Sequence, residues 1–161
     1  MAAGATYTPI ATTTLGSAAA SYTFSSIPST YTDLVLVFNG ATGAGAAATI
    51  QFNSDTATNY SYTGINGSGS AATSFRGSNG TAGGLGETRT YNTTIITSIQ
   101  NYSNATTYKT AIARANTASD YVQCIVNLWR STAAINSITV GLSSSTYSTG
   151  STFTLYGIAA A

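Results

Sequence analysis

The chain has 161 residues and a formal net charge of +1, and only 6% of its residues are charged, against about 25% in ordinary soluble domains. It contains no histidine and a single cysteine, Cys124, which excludes Ser-His-Asp and Cys-His catalytic sites and an intrachain disulfide. The five basic residues are scattered and no apolar run approaches the roughly 20 residues of a membrane helix, so we expect neither a nucleic-acid nor a membrane partner.

Short runs of β-branched and aromatic residues, separated by Gly, Ser, Asn and Asp, follow one another along the whole chain. This pattern is typical of a sandwich or barrel, and helical spacing is nearly absent. We predict a single all-β domain over residues 1–161, an antiparallel β-sandwich of about ten short strands. The predicted strands are 7–14, 21–25, 32–39, 48–52, 72–76, 88–100, 108–115, 121–130, 136–142 and 151–158.

Three features along the chain stand out. Residues 34–38 (LVLVF) are apolar on both faces, which predicts a central strand covered by the second sheet and by a neighbouring subunit. Residues 64–86 hold eight glycines with Ser, Asn and Thr between them, which predicts a long exposed Gly/Ser-rich loop. Cys124 is predicted to be a small buried hydrophobic residue in its strand.

The four carboxylates limit the chemistry that the chain can perform. Asp55 and Glu87 lie in or beside predicted loops and form the pair that a glycoside-acting enzyme would use. Residues 53–59 (NSDTATN) place oxygen side chains at alternate positions and would suit Ca²⁺, although the third acid and the terminal Glu of a dedicated loop are missing. Solvated or turn-capping acids explain the same residues. We predict no catalytic residue, no cofactor and no metal.

Tyrosine is the more informative residue type. Five tyrosines lie at predicted loops or strand ends, where a large amphipathic ring suits a contact surface. They are the candidates for a subunit interface or, alternatively, for stacking against a glycan, and core packing is the third reading. These residues are Tyr60, Tyr62, Tyr91, Tyr102 and Tyr147.

Three segments carry a family resemblance: residues 26–39 (SIPSTYTDLVLVFN), 52–61 (FNSDTATNYS) and 150–158 (GSTFTLYGI). In content, order and spacing they resemble segments of small virion structural proteins of tailed bacteriophages, including cyanophages. The resemblance implies a jelly-roll-like β-sandwich displayed on a phage particle. Such proteins serve as capsid decoration or cement proteins, as head or tail fibre components, or as receptor-binding domains, often as trimers. It transfers no functional residue.

We therefore predict a non-enzymatic virion structural protein, made in the host cytoplasm and placed on the virion surface as a capsid decoration (cement) or head-surface protein. Its expected partners are itself, as a homotrimer, and other virion proteins such as the major capsid protein. A charge-poor protein gains stability and solubility from its neighbours in such an assembly. Two alternatives remain: a tail or fibre adhesin that binds host-surface glycan, and a glycoside-acting enzyme.

Overall fold

The computed structural model describes residues 6–117 and 119–159, and within these residues it contains twelve β-strands and no helix. The all-β prediction is confirmed, with two strands more than expected. The strands are β1 Tyr7–Thr14, β2 Ser21–Phe24, β3 Asp33–Gly40, β4 Ala46–Phe52, β5 Tyr60–Gly67, β6 Ala72–Gly80, β7 Gly83–Thr88, β8 Thr93–Gln100, β9 Lys109–Thr117, β10 Tyr121–Trp129, β11 Ile138–Leu142 and β12 Thr152–Ile158.

The strands form two antiparallel sheets. The larger sheet has the order β1-β12-β3-β8-β9-β10-β5-β6, and the smaller has the order β2-β11-β4-β7. Their facing sides share one hydrophobic core, so the antiparallel β-sandwich is confirmed. The division into eight and four strands does not confirm a jelly roll.

Strand β3 lies inside the larger sheet, between β12 and β8, as its sequence predicts. Leu34, Leu36 and Phe38 point into the core and are at most 1% exposed. Val35 and Val37 alternate with them and face the opposite side of the sheet, where Val37 is half-buried. A neighbouring subunit over this outer side stays a prediction.

Aromatic rings fill the two ends of the sandwich. The first group contains Phe38, Tyr147 and Phe153, and the second contains Phe52, Tyr60 and Trp129. Within each group the ring centroids lie 4.9–6.3 Å apart. Such spacing is that of interacting aromatic pairs, which stabilise a core beyond the area they bury.

The strand predicted at 72–76 is confirmed and extends to β6, Ala72–Gly80, but the rest of 64–86 is also mostly strand, so the prediction of a Gly/Ser-rich loop there is wrong. Strand β5 runs into the segment, β6 lies wholly within it and β7 begins inside it. Strand β6 forms the edge of the larger sheet and β7 the edge of the smaller one. The β6–β7 connection therefore carries the chain from one sheet to the other in two residues, 81–82.

The glycines of this segment allow close packing under aromatic rings. A Cβ atom at Gly64 would lie 2.5 Å from the ring of Phe75, and one at Gly77 would lie 2.6 Å from the ring of Tyr62. Both distances are shorter than real atoms tolerate, so each ring lies directly on bare backbone. The high glycine content of this segment therefore reflects the close approach of aromatic rings to the backbone, and it does not mark a flexible loop.

Two buried amide side chains attach β7 to β10 in the facing sheet. Asn127, 2% exposed, accepts a hydrogen bond from Gly84 N at 2.8 Å and donates one to Gly84 O at 2.8 Å. Gln123, 7% exposed, accepts one from Glu87 N at 2.7 Å. Buried polar groups need such partners, and these partners join the two sheets.

Candidate interaction surface

Three of the five candidate tyrosines are core residues. Tyr60, Tyr102 and Tyr147 are at most 1% exposed. Because their rings do not reach the surface, the prediction that they contact a subunit or a glycan is wrong for this chain. Each hydroxyl hydrogen-bonds the backbone of another segment, as the Tyr147 hydroxyl does in donating to Gly141 O at 2.9 Å, so these tyrosines fix loops to the core.

Burial also changes the acidity of these tyrosines. Desolvation raises the pKa of Tyr60 to about 12, and it raises the pKa of Tyr102 and of Tyr147 above the ordinary value. The neutral hydroxyl is favoured because an ionised phenolate would lose its hydration inside the core. These groups are therefore structural hydrogen-bond donors across the ordinary pH range.

The remaining two candidates differ from each other. Tyr62 is half-buried and packs against Gly77 and Gly84 at the edge of the core. Tyr91 is 39% exposed, and its hydroxyl donates to Asp120. Of the five, Tyr91 presents the most accessible ring.

Asp55, the acid common to the enzyme and calcium hypotheses, is already engaged. Its Oδ2 accepts hydrogen bonds from Trp129 Nε1 at 2.7 Å and from Asn59 Nδ2 at 2.8 Å, and its Oδ1 accepts one from Ala57 N at 2.9 Å. The Asn59 hydrogen bond, together with those from Trp129 and Ala57, lowers the pKa of Asp55. The carboxylate fastens the 53–59 turn to the core, which is the turn interpretation of these residues.

Glu87 lies far from Asp55. It pairs through β7 with Ala47 near the start of β4, whereas Asp55 follows the end of β4 at Phe52. Five residues of strand separate these positions by about 16 Å, beyond the roughly 10 Å that paired glycosidase carboxylates span. The Asp55–Glu87 catalytic pair is therefore not formed.

Glu87 and Asp120 instead form an ionic cluster around Arg89. Arg89 Nη1 lies 3.2 Å from Glu87 Oε2, and Arg89 Nε lies 2.8 Å from Asp120 Oδ2. The guanidinium also covers the ring of Tyr121 at 4.7 Å from its centroid. The Tyr91 and Arg89 hydrogen bonds lower the pKa of Asp120. This cluster holds the β9–β10 turn against β7.

The outer side of the larger sheet, in contrast, exposes aliphatic side chains. Val122 and Ile65 are 64% and 63% exposed, Val126 is 50% exposed and Ile112 is 40% exposed. Strand register places them together, because Val126 pairs with Ile112 on β9 and Ile65 pairs with the residue between Val122 and Val126 on β10. We call these four residues the outer patch.

Cys124 lies at the centre of the outer patch and is half-buried, so the prediction of a buried cysteine is wrong. Beside it a shallow groove of about 490 Å³ runs between β10 and β6. Ile65, Val122, Cys124 and Ala72 contribute its apolar lining. Contiguous exposed apolar patches are where proteins commonly contact partners, so the outer patch is the candidate interaction surface.

Two arginines accompany the outer patch. Arg114 pairs across the strands with Cys124, and Arg76 pairs with Thr63, which in turn pairs with Val126. Direct partners in an antiparallel sheet share a face, so both arginines lie on the outer side, and both are exposed. The two ion pairs among the described residues both involve Arg89, so neither Arg114 nor Arg76 takes part in one of them.

Sequence reasoning missed the outer patch because β10 has an unusual polarity pattern. Its inner face carries Gln123 and Asn127, whereas its outer face is the more uniformly apolar one. A pattern-based assignment therefore does not show which face of the strand is buried. The small inward residues of β9, among them Ala113 and Ala115, were the available signal, since they leave room for another strand to approach.

Comparison with known proteins does not assign a family. No protein-family model matches the chain, and no curated protein sequence matches it significantly. Within residues 6–117 and 119–159, no helix is long and apolar enough to cross a membrane.

Proposed function

We propose that this chain is a non-enzymatic structural protein of a bacteriophage particle, acting as a capsid decoration (cement) or head-surface protein on the virion. The outer patch carries the proposal, because a rigid sandwich that exposes four aliphatic side chains on one sheet is built to be covered by protein. A phage particle is the assembly that the family resemblance indicates, and the resemblance is carried by segments 26–39, 52–61 and 150–158.

The contacts of the polar side chains are consistent with a structural role. Asp55 holds a turn, Glu87 and Asp120 bind Arg89, and Asn127 joins the two sheets. The side chains that an active site would draw on are thus occupied in holding the fold together. Contact with a capsid lattice such as the major capsid protein would bury the outer patch and stabilise both partners.

Immunogold electron microscopy on purified particles of the source phage tests this proposal. Labelling distributed over the head is expected for a decoration or head-surface protein. Particles assembled without the protein should release their DNA at a lower temperature, because cement contacts are missing. Labelling confined to the tail tip would contradict the proposal.

We further propose that the chain forms a homotrimer on the particle, a state that rests on the family resemblance alone. Size-exclusion chromatography with multi-angle light scattering should then give three times the 16.3 kDa chain mass. A monomer at all concentrations would contradict the trimer but not the attachment to the head.

Of the five tyrosines predicted as glycan contacts, Tyr91 is the one whose ring a tail or fibre adhesin could use, because Tyr60 is buried and Tyr62 is half-buried. Reproducible glycan-array binding that disappears in Tyr91→Ala would favour the adhesin over the decoration protein.

A further inference from the structure

We propose that the outer patch docks a partner protein whose surface is apolar and carries carboxylates opposite Arg114 and Arg76, and that this partner is not a second copy of the chain. The inference rests on the proposed function and specifies the chemistry of the particle surface that receives the protein.

Arg114 lies within the outer side of the larger sheet, between Ile96 on β8 and Cys124 on β10, and it is in direct cross-strand register with both. Ile112 lies two residues away on the same face. A partner that covers the aliphatic side chains must therefore also cover the guanidinium. Burying an unpaired charge is costly, so a complementary partner provides an acceptor for it.

The charge on this face is positive near the two arginines. Arg114 and Arg76 are both exposed there, and neither belongs to the two ion pairs of the described residues, which both involve Arg89. Asp55 is held in the 53–59 turn, and Glu87 is paired with Arg89. Asp120 lines a groove with Val122 at one end of the outer patch and is paired with Arg89 there. The part of the outer side around Arg114 and Arg76 is consequently cationic as well as apolar, and charge complementarity calls for an acidic partner there.

A second copy docked patch to patch is a poor occupant for the same reason, and the proposed trimer would have to form through other surfaces. Docking of two outer patches about a two-fold axis presents the same surface to itself. Arg114 lies beside the central Cys124, so the two Arg114 side chains would come close together. Asp33, the carboxylate on β3, is two strands across and four residues along the sheet from Arg114 in each copy, about 17 Å, and does not relieve that repulsion.

The binding experiment uses particles assembled from a genome that lacks this coding sequence, titrated with the fluorescently labelled chain. Val122→Glu and Val122→Lys remove the same aliphatic contact and introduce opposite charges at one exposed position. Against an acidic surface, Val122→Glu should bind at least about ten-fold more weakly than Val122→Lys.

Arg114→Gln should also weaken binding by about ten-fold or more, and raising the salt concentration should reduce the difference between Arg114→Gln and the wild type. Thr23→Glu is the matched control, because it changes the net charge by the same amount on β2, an edge of the smaller sheet. Its affinity should equal that of the wild type.

The outcomes separate the two proposals. If the wild-type chain does not bind the depleted particles, the proposed function fails and the inference falls with it. If it binds but Val122→Glu and Val122→Lys are equally weak and Arg114→Gln is unaffected, the acidic partner is wrong while the attachment stands. If light scattering shows self-association that Val122→Glu abolishes, the occupant is a second copy and the inference is overturned.

Discussion

The two faces of β10 depart from the usual distribution of polarity. Its inner face buries the amides of Gln123 and Asn127 beside Ile125 and Trp129, while its outer face exposes Val122 and Val126. Each buried amide has backbone partners on β7, so its burial costs little. The exposed valines have no comparable compensation within the chain. The inner face thus serves folding, and the outer face is available for association.

This comparison predicts that equivalent substitutions on the two faces have different consequences. Changes on the inner face should lower the free energy of unfolding, because they break contacts between the sheets. Changes on the outer face should leave folding nearly unchanged and alter only attachment to a partner.

Asn127→Ala should have the largest effect. It leaves the N–H and C=O of half-buried Gly84 without their side-chain partners, which should lower the free energy of unfolding by about 3 kcal/mol. Urea denaturation measures it. Asn116→Ala is the control, since Asn116 lies exposed on β9 and should change stability by less than about 0.5 kcal/mol. Equal losses in the two variants would contradict the role of Asn127 in joining the sheets.

Alkaline pH should destabilise the fold through its buried tyrosines. The pKa of Tyr60 is raised from 10.0 to about 12, so the folded chain retains a proton that the unfolded chain releases above pH 10. The resulting stabilisation is complete below pH 10 and decreases as pH rises toward 12, where about 2 kcal/mol is lost from Tyr60 alone.

Lys109 acts in the opposite direction, because burial lowers its pKa from 10.5. The unfolded chain then binds more protons below pH 10.5, so this contribution to stability rises up to that pH and is constant above it. Urea midpoints measured from pH 9 to pH 12, with tyrosinate absorbance at 295 nm, separate the two groups. Complete tyrosine ionisation in the folded protein near pH 10 would contradict the burial of Tyr60.

Gly77→Ala should destabilise the fold by about 2 kcal/mol, because overpacking displaces neighbouring groups. The added methyl would lie 2.6 Å from the Tyr62 ring, which occupies the inner side of β6. Gly16→Ala is the control, since a Cβ atom at Gly16 meets nothing within 4 Å. A neutral Gly77→Ala would indicate that β6 is as loose as the sequence suggested.

These regions show what the sequence can and cannot reveal. Residues 34–38 are apolar throughout, so their central position follows from hydropathy alone. The glycines of 64–86 are ambiguous, because glycine serves loops and close packing alike, and only the rings of Tyr62 and Phe75 decide between them. The buried tyrosines are ambiguous in the same way, since burial depends on the hydroxyl finding a distant backbone carbonyl.

The outer patch could not be found from alternation alone. Strand register brings Ile65 of β5 beside Ile112 and Val126 of the β9–β10 hairpin, which lies far from β5 in sequence, and no local pattern encodes the pairing of β5 with β10. The polar residues inside β10 hide it further. The outer patch therefore becomes visible only in the structure, where Asn127 faces inward and bonds β7.

Val122→Ser should have the smallest effect on folding, less than about 0.5 kcal/mol, because its side chain is 64% exposed. The same change at Val140, which is 1% exposed on β11, should cost about 3 kcal/mol by leaving a cavity and an unpaired hydroxyl in the core. Binding to depleted particles should be weakened by Val122→Ser at a temperature where the variant is fully folded. A Val122→Ser variant that unfolds as readily as Val140→Ser would show that the outer patch belongs to the core of the chain and has no separate role in association.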